Sequence, residues 1–123
     1  MTEILYHRAN TEAFILADPV AITLKFREKI DLPSGGFKWG PETAREEQSF
    51  KMIPQTDVMP TVTTPDGVTL LPGYVILGRY DAVMERWDKF TLHGVEYQIV
   101  SPIRPDVKDP SKIYERKADV ARL

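Results

Sequence analysis

Alternating hydrophobic and polar residues mark much of the chain and predict short β-strands. In Ala21–Arg27, apolar and polar side chains alternate strictly, which is typical of a strand with one face in a core and the other in water. The same alternation recurs in Gln48–Ile53, Val95–Val100 and Ile113–Val120. Because Ile113–Val120 also contains many good helix formers, a helix is the alternative for that segment.

Turn sequences separate these segments and indicate how they pair. The dipeptide His93-Gly94 precedes Val95–Val100 and predicts a hairpin with a two-residue turn. Residues 65–67 (Pro-Asp-Gly) predict a second turn, between two further short strands. Tyr74–Leu77 is apolar on both sides, which is typical of a central strand. We therefore expect a sheet built mainly from antiparallel neighbours.

Two short helical segments are expected beside the strands. The first covers Thr11–Ala17 and ends at Asp18, because the following proline disfavours a helical conformation there. The second covers one or two turns in Asp81–Asp88. The chain contains 10 prolines, and they leave no room for a long helix.

The fold class that follows is mainly β. The chain has 123 residues, which is the size of one domain. We predict a single β-rich domain over 1–123: a small antiparallel β-barrel or sandwich with a long hairpin loop and one or two short helices. Residues 1–9 are expected to form an N-terminal arm. Residues 28–47 show no periodicity and are expected to form a long projecting loop, and loops of that length are usually functional or disordered.

Composition excludes several classes of protein. There is no cysteine, which excludes a disulfide scaffold, a thiol nucleophile and zinc sites built on cysteine. The net charge of −2 gives no sign of nucleic-acid binding by bulk electrostatics. No apolar run is long enough for a membrane span, and no segment is typical of a signal peptide, so no membrane association is expected.

Candidate catalytic chemistry is sparse. His7 and His93 lack partners at metal-ligand spacing. Asp81, Glu85 and Asp88 would share a helix face and could form an acid/base pair or a cation site, although a capped, solvated helix face is the favoured interpretation. We therefore predict no catalytic residue, no metal site, no cofactor and no enzymatic activity.

Two large aromatic residues stand out inside the glycine-bracketed segment of the predicted loop. Phe37 and Trp39 flank Lys38, and exposed aromatic side chains usually imply that something covers them. Either the loop folds back on its own core or a partner covers it, and we favour a partner. Stacking on single-stranded nucleic acid is the alternative that the same three residues suggest.

The order of the segments resembles the head-completion, or head–tail stopper, proteins of long-tailed bacteriophages. The blocks that carry this resemblance are Phe14–Pro19, Ala21–Arg27, Pro33–Phe37, Gln48–Pro54, Tyr74–Ala82, Asp88–Phe90, Gly94–Ile99 and Tyr114–Val120. The resemblance covers roughly residues 11–120, and none of the blocks is a catalytic signature.

The resemblance implies a virion structural protein in the neck between capsid and tail, assembled in the host cytoplasm. Such subunits form a homo-oligomeric ring of six or twelve copies beneath a portal-side adaptor, and the ring receives a tail terminator or tail tube protein. Packaged double-stranded DNA passes through without sequence-specific contact, and a loop, here Asp31–Glu47, helps to retain it. A tail terminator is the alternative within the same class.

This resemblance makes part of the expected loop the candidate channel-facing or partner-contacting site. The candidate residues are Gly35, Gly36, Phe37, Lys38, Trp39, Arg45 and Glu46.

Overall fold

The computed structural model describes residues 3–105 and 109–123 and contains one α-helix followed by ten strands. The helix α1 spans Glu3–Ala17. The strands are β1 (Val20–Ile22), β2 (Lys25–Asp31), β3 (Phe37–Ala44), β4 (Gln48–Pro54), β5 (Val62–Thr63), β6 (Thr69–Leu70), β7 (Pro72–Arg79), β8 (Lys89–Leu92), β9 (Val95–Ile99) and β10 (Glu115–Arg122). A short 3₁₀ helix, Pro110–Lys112, precedes β10.

Eight of the strands form one antiparallel sheet in the order β1-β4-β7-β10-β9-β8-β2-β3. Only Thr23 and Leu24 separate β1 from β2, yet the two strands lie near opposite ends of this order. The sheet therefore curls into a half-barrel. Strands β5 and β6 form a separate two-stranded ribbon around the predicted turn. The mainly β class predicted from the alternation is confirmed.

The core lies inside the curled sheet. It is formed by buried side chains from six strands and two of the connections, namely Ile22, Leu24, Phe50, Ile76, Met84, Phe90, Ile99, Ala118 and Val120. Burying each large side chain contributes roughly 1.5–3 kcal/mol. The strong alternation in β4, β9 and β10 reflects this buried face, and the strand expected at the end of the chain is confirmed over the helix.

Helix α1 begins earlier than the sequence predicts. Residues 3–9 were expected in an arm but are helical, while residues 1–2 lie outside the described part. Long-range contacts of Arg8 anchor these turns: its side chain donates to the carbonyl oxygens of Ile113 and Pro110, each at 2.9 Å, and its guanidinium lies 3.9 Å from the ring centre of Tyr80. Local sequence carries no sign of such distant partners. The helix ends at Ala17, as predicted.

Residues 28–47 differ most from expectation, because most of the expected loop is a β-hairpin. Strands β2 and β3 pair over Lys25–Asp31 and Phe37–Ala44, with a β-bulge near the middle. The strand predicted over Ala21–Arg27 is divided, because β1 pairs with β4 while β2 turns away to pair with β3. Each strand bonds to the other along one side, and its remaining backbone groups can bond to water, so the strands form without hydrophobic alternation.

The segment 81–88 is not helical, which corrects the second helix prediction. The carboxylate of Asp88 accepts a hydrogen bond from the backbone N–H of Glu85 at 3.0 Å and thereby stabilises a tight turn. An aspartate that bonds to nearby backbone groups competes with helix formation. The β8–β9 hairpin is confirmed, and its turn residues His93 and Gly94 have φ values of 51° and 77°.

Candidate functional site

The β2–β3 hairpin is anchored to the barrel only at its base. β2 pairs with β8 at Lys25 and Lys89, and beyond this point the described strands β2 and β3 pair only with each other. Residues 28–38 are exposed. At about 3.3 Å per residue, the four residues 28–31 extend roughly 13 Å past Arg27, whose side chain donates to the carboxylate of Asp66 at 3.2 Å. The hairpin thus projects from the half-barrel and contributes little to the core.

The glycines predicted as site residues form the tip of this hairpin. The N–H of Leu32 donates to the oxygen of Gly36 at 3.1 Å, and the N–H of Gly35 donates to the oxygen of Leu32 at 3.0 Å. Gly35 and Gly36 have φ values of 93° and 74°, which side-chain-bearing residues rarely adopt. A Cβ at either position would contact nothing within 4 Å. Backbone conformation alone therefore explains the two glycines.

One face of the hairpin is aromatic and basic. The rings of Phe37 and Trp39 meet edge to face with centroids 5.5 Å apart. The Nζ atom of Lys29 lies 4.3 Å from the centre of the Phe37 ring, and the guanidinium of Arg27 lies 5.9 Å from that of Trp39. Part of each aromatic surface is thus already in contact with a neighbouring side chain.

The opposite face carries Ile30 and Lys38. These residues form a cross-strand pair between the pairs Lys29–Trp39 and Asp31–Phe37, so their side chains point away from the aromatic rings. Lys38, which neighbours the aromatic residues in sequence, therefore does not act with them, and Lys29 takes that place.

Arg45 is used differently from the expectation of a channel or partner contact. Its guanidinium binds the carboxylate of Asp88, with Nε–Oδ2 at 2.9 Å, and packs 4.2 Å from the centre of the Phe26 ring. The side chains of Arg45 and Asp88 are only 13% and 3% exposed. Burial raises the pKa of Asp88, while the hydrogen bond from Arg45 opposes that rise. Arg45 therefore ties the end of the hairpin to the 82–88 connection, and the neighbouring Glu46 is exposed.

A groove of about 550 Å³ lies between the hairpin base and this connection. Trp39 and Trp87 both line it. Trp87 has a φ of 77°, a value that bulky residues rarely adopt, and it is held there by hydrogen bonds with Ile99 and Gln98. Basic and acidic side chains are equal in number along the groove, so it has no net attraction for a polyanion.

The three carboxylates considered as a catalytic or cation site do not act together. Asp81 lies 3.7 Å from Arg79, whereas Glu85 and Asp88 both contact Arg45. Over residues 3–105 and 109–123, no three histidine, aspartate or glutamate side chains are grouped to hold a metal ion.

The outward side of α1 was not predicted as a functional surface. Leu5, Tyr6 and Leu16 are 47%, 57% and 58% exposed, and three alanines of the helix are exposed beside them. A second groove, of about 650 Å³, adjoins Leu16 and includes Val83 in its wall. The sequence did not reveal this surface, because residues 1–9 resembled an arm and the apolar residues of the helix follow no one-sided pattern.

Comparison of the chain with protein-family models and with curated proteins gave no match. In the described part of the chain, no helix has the length and apolar character needed to cross a bilayer.

Proposed function

We propose that this protein is a virion structural protein: a ring-forming head–tail connector subunit of the stopper or head-completion type. It joins the portal or adaptor of a DNA-filled capsid to the tail and helps to retain the DNA. The observation that carries the proposal is a small half-barrel with two exposed surfaces that pack on nothing else in the described part of the chain. These are the projecting β2–β3 hairpin and the apolar outer side of α1. The order of the sequence blocks, which resembles that family, supports the same function.

These two exposed surfaces are evidence for assembly, because they add little to the stability of a free subunit. The core residues lie inside the barrel, whereas Phe37 in the hairpin and Leu16 in α1 remain about half exposed. Exposed apolar patches rimmed by polar residues mark interaction sites on otherwise soluble domains. A subunit of a ring would cover such surfaces with its neighbours.

The charge of the hairpin supports passage of DNA without tight binding. Lys29 and Lys38 are offset by Glu28 and Asp31 in the same exposed stretch. Each added phosphate contact would strengthen DNA binding and slow its movement, so a nearly neutral hairpin suits a channel through which DNA must slide.

Electron microscopy of the protein with its neck partners tests the proposal. The protein is co-expressed with the portal-side and tail proteins encoded beside its gene, and the purified particles are imaged. We expect a ring of this subunit between the two partners, and virions that contain it. A chain that remains monomeric with these partners and is missing from purified virions would overturn the proposal.

Two further outcomes distinguish the alternatives. A ring located on the tail side of a separate stopper would identify a tail terminator. Binding to single-stranded DNA that is micromolar or tighter and weakens steeply with salt would favour a nucleic-acid-binding module. Lys38 lies on the face opposite Phe37 and Trp39, so it does not contribute to the stacking that such a module would use.

A further inference from the structure

We infer that the β2–β3 hairpin of one copy lies across the outer side of α1 in the next copy of the chain. The receiving surface, called here the α1 groove, consists of the outward residues of α1 and the adjoining 650 Å³ cavity. This inference rests on the proposed function, since it names the contact that would join the subunits of the ring.

Helix α1 is apolar on both sides, which is unusual for a helix that faces water. Thr11 and Ile15 are buried against the barrel. On the opposite side, Leu5, Ala13 and Leu16 follow one another at helical spacing and are exposed. Apolar residues on the side of a helix that faces away from the core often mark a contact with another molecule.

The area of this outer side indicates how large the contact must be. Leu5, Tyr6 and Leu16 each expose about half of their surface, and a patch of this kind is comparable to the largest one on a typical monomer, roughly 300–600 Å². A stable interface buries about 800 Å² on each partner. The helix alone is therefore too small, and the adjoining cavity has to contribute to the same contact.

The cavity continues the apolar surface and adds negative charge. Leu16 belongs to both parts, and Val83, which is 56% exposed, extends the apolar wall. Glu46 and Glu47 line the cavity and form no ion pair with the described residues. The α1 groove thus fits an apolar segment that carries positive charge.

One face of the hairpin of this chain has that chemistry, because Lys38 lies on it while Asp31 lies on the face with Phe37. Ile30 and Lys38 are exposed on the face opposite the aromatic rings, and Leu32 follows at the turn. Lys38 has no carboxylate partner within 4.0 Å in residues 3–105 and 109–123. The apolar residues of the hairpin match the helix, and the unpaired lysine matches the unpaired glutamates Glu46 and Glu47.

A contact between two α1 helices fits less well. Both ends of the helix are acidic, with Glu3 at the start and Asp18, which lies 3.8 Å from Lys51, just past the end. Antiparallel packing of two copies would place Glu3 of one copy near Asp18 of the other, and like charges in contact are unfavourable. The hairpin and the α1 groove are different surfaces, so their contact is head-to-tail and closes into a ring when the rotation between copies allows.

Cross-linking between two single-cysteine variants tests this contact. The chain contains no cysteine, so Lys38→Cys and Glu46→Cys each introduce one thiol. The two variants are mixed, assembled with the neck partners and treated with a short bis-maleimide. We expect a cross-linked dimer in the mixture at least ten times more abundant than in either variant alone. Lys38→Cys mixed with Thr91→Cys, an exposed position on β8, is the matched control and should give no such product.

Exchange of the charges provides a second measurement. Lys38→Glu should weaken self-association at least tenfold in sedimentation, and the double change Glu46→Lys with Glu47→Lys should restore it. The inference would be overturned if rings assembled normally but gave no cross-link between positions 38 and 46, or if Lys38→Glu left self-association unchanged. Either result would leave the proposed function standing. Absence of any assembly, in the wild-type chain as well, would overturn both.

Discussion

The two hairpins β8–β9 and β2–β3, which are neighbours in the sheet, are paired alike and buried differently. In β8–β9, the turn is His93-Gly94, Phe90 and Ile99 are buried, and β10 extends the sheet beyond β9. In β2–β3, the turn covers residues 32–36, and residues 28–31 and 37–38 are exposed on both faces. Hydrogen-bonded pairing is present in both hairpins, but only one of them contributes to the core.

This difference in burial indicates that β8–β9 stabilises the fold, whereas the outer part of β2–β3 does not. A two-stranded hairpin with no packed face is marginally stable in water. The β2–β3 hairpin is therefore held at its base, where Arg45 binds Asp88 and packs on Phe26. Its outer residues are not needed for folding, which leaves them available for contact with a neighbour.

The largest effect is expected in the buried hairpin. Phe90→Ala should lower the free energy of unfolding by about 3–5 kcal/mol, because it removes a ring that is 1% exposed and leaves a cavity. Urea unfolding followed by tryptophan fluorescence measures the change. A loss below about 1 kcal/mol would contradict the account of the core.

The second-largest loss of stability is expected where the β2–β3 hairpin joins the half-barrel. Arg45→Met should cost about 3 kcal/mol at neutral pH, because it leaves the carboxylate of Asp88 buried without its partner. Unfolding of the variant and the wild type is compared from pH 7 downward. Arg79→Met, which removes an arginine from an exposed ion pair, is the control and should cost less than about 1 kcal/mol.

The pH dependence of that variant has a defined sign. Burial raises the pKa of Asp88 above 3.8, so this carboxyl contributes stability that is complete below pH 3.8 and is lost as the pH rises through the raised pKa. Removal of Arg45 takes away an opposing influence and raises the pKa further. The cost of Arg45→Met should therefore shrink as the pH falls toward 3.8, and a cost that grows on acidification would contradict this assignment.

Two glycines give a matched test of packing in the two regions. A Cβ at Gly78 in β7 would lie 2.8 Å from the ring of Phe50 and 2.8 Å from the Cβ of Ala82. Gly78→Ala should cost about 1–3 kcal/mol by overpacking. In the hairpin, the nearest side-chain atom to a Cβ at Gly40 is the flexible end of Ile30, at 3.2 Å. Gly40→Ala should therefore lower the free energy of unfolding less than Gly78→Ala does. Thermal unfolding ranks the two variants, and the reverse order would be inconsistent with a packed barrel and an open hairpin.

The smallest effect on stability is expected at the end of the exposed hairpin. Phe37→Ala removes a half-exposed ring and its contacts with Trp39 and Lys29, which together are worth about 1 kcal/mol or less. Urea unfolding of the isolated chain is the measurement, with Phe90→Ala as the reference. A loss equal to that of Phe90→Ala would show that the hairpin is part of the core.

The buried hairpin could be predicted from the sequence, and the exposed one could not. Alternation in Val95–Val100 records a strand with one buried face, and His93-Gly94 identifies its turn. Residues 28–47 show no such alternation. The outer part of β2–β3 has water on both faces, so there is no reason for apolar residues at every second position. The start of α1 was missed for a different reason: Arg8 depends on carbonyl groups more than 100 residues away.

The candidate site was predicted in part. The sequence located the glycines and aromatic residues of the hairpin, because glycine at positive φ and exposed aromatic rings both leave a local sign. It assigned Arg45 to that exposed site, since the buried partner Asp88 lies 43 residues away. The α1 groove was missed, because Leu16 and Val83 meet only in the folded chain.

Hydrogen exchange of the two hairpins, in the isolated chain and in the assembled neck particle, tests the central claim most directly. Amides of β8–β9 should be protected in both states, because one subunit alone forms the core on which this hairpin packs. Amides of residues 28–38 that face away from the β2–β3 ladder should exchange quickly in the isolated chain and become protected on assembly. Equal protection of the β2–β3 hairpin in both states would contradict the claim that a neighbouring copy covers it.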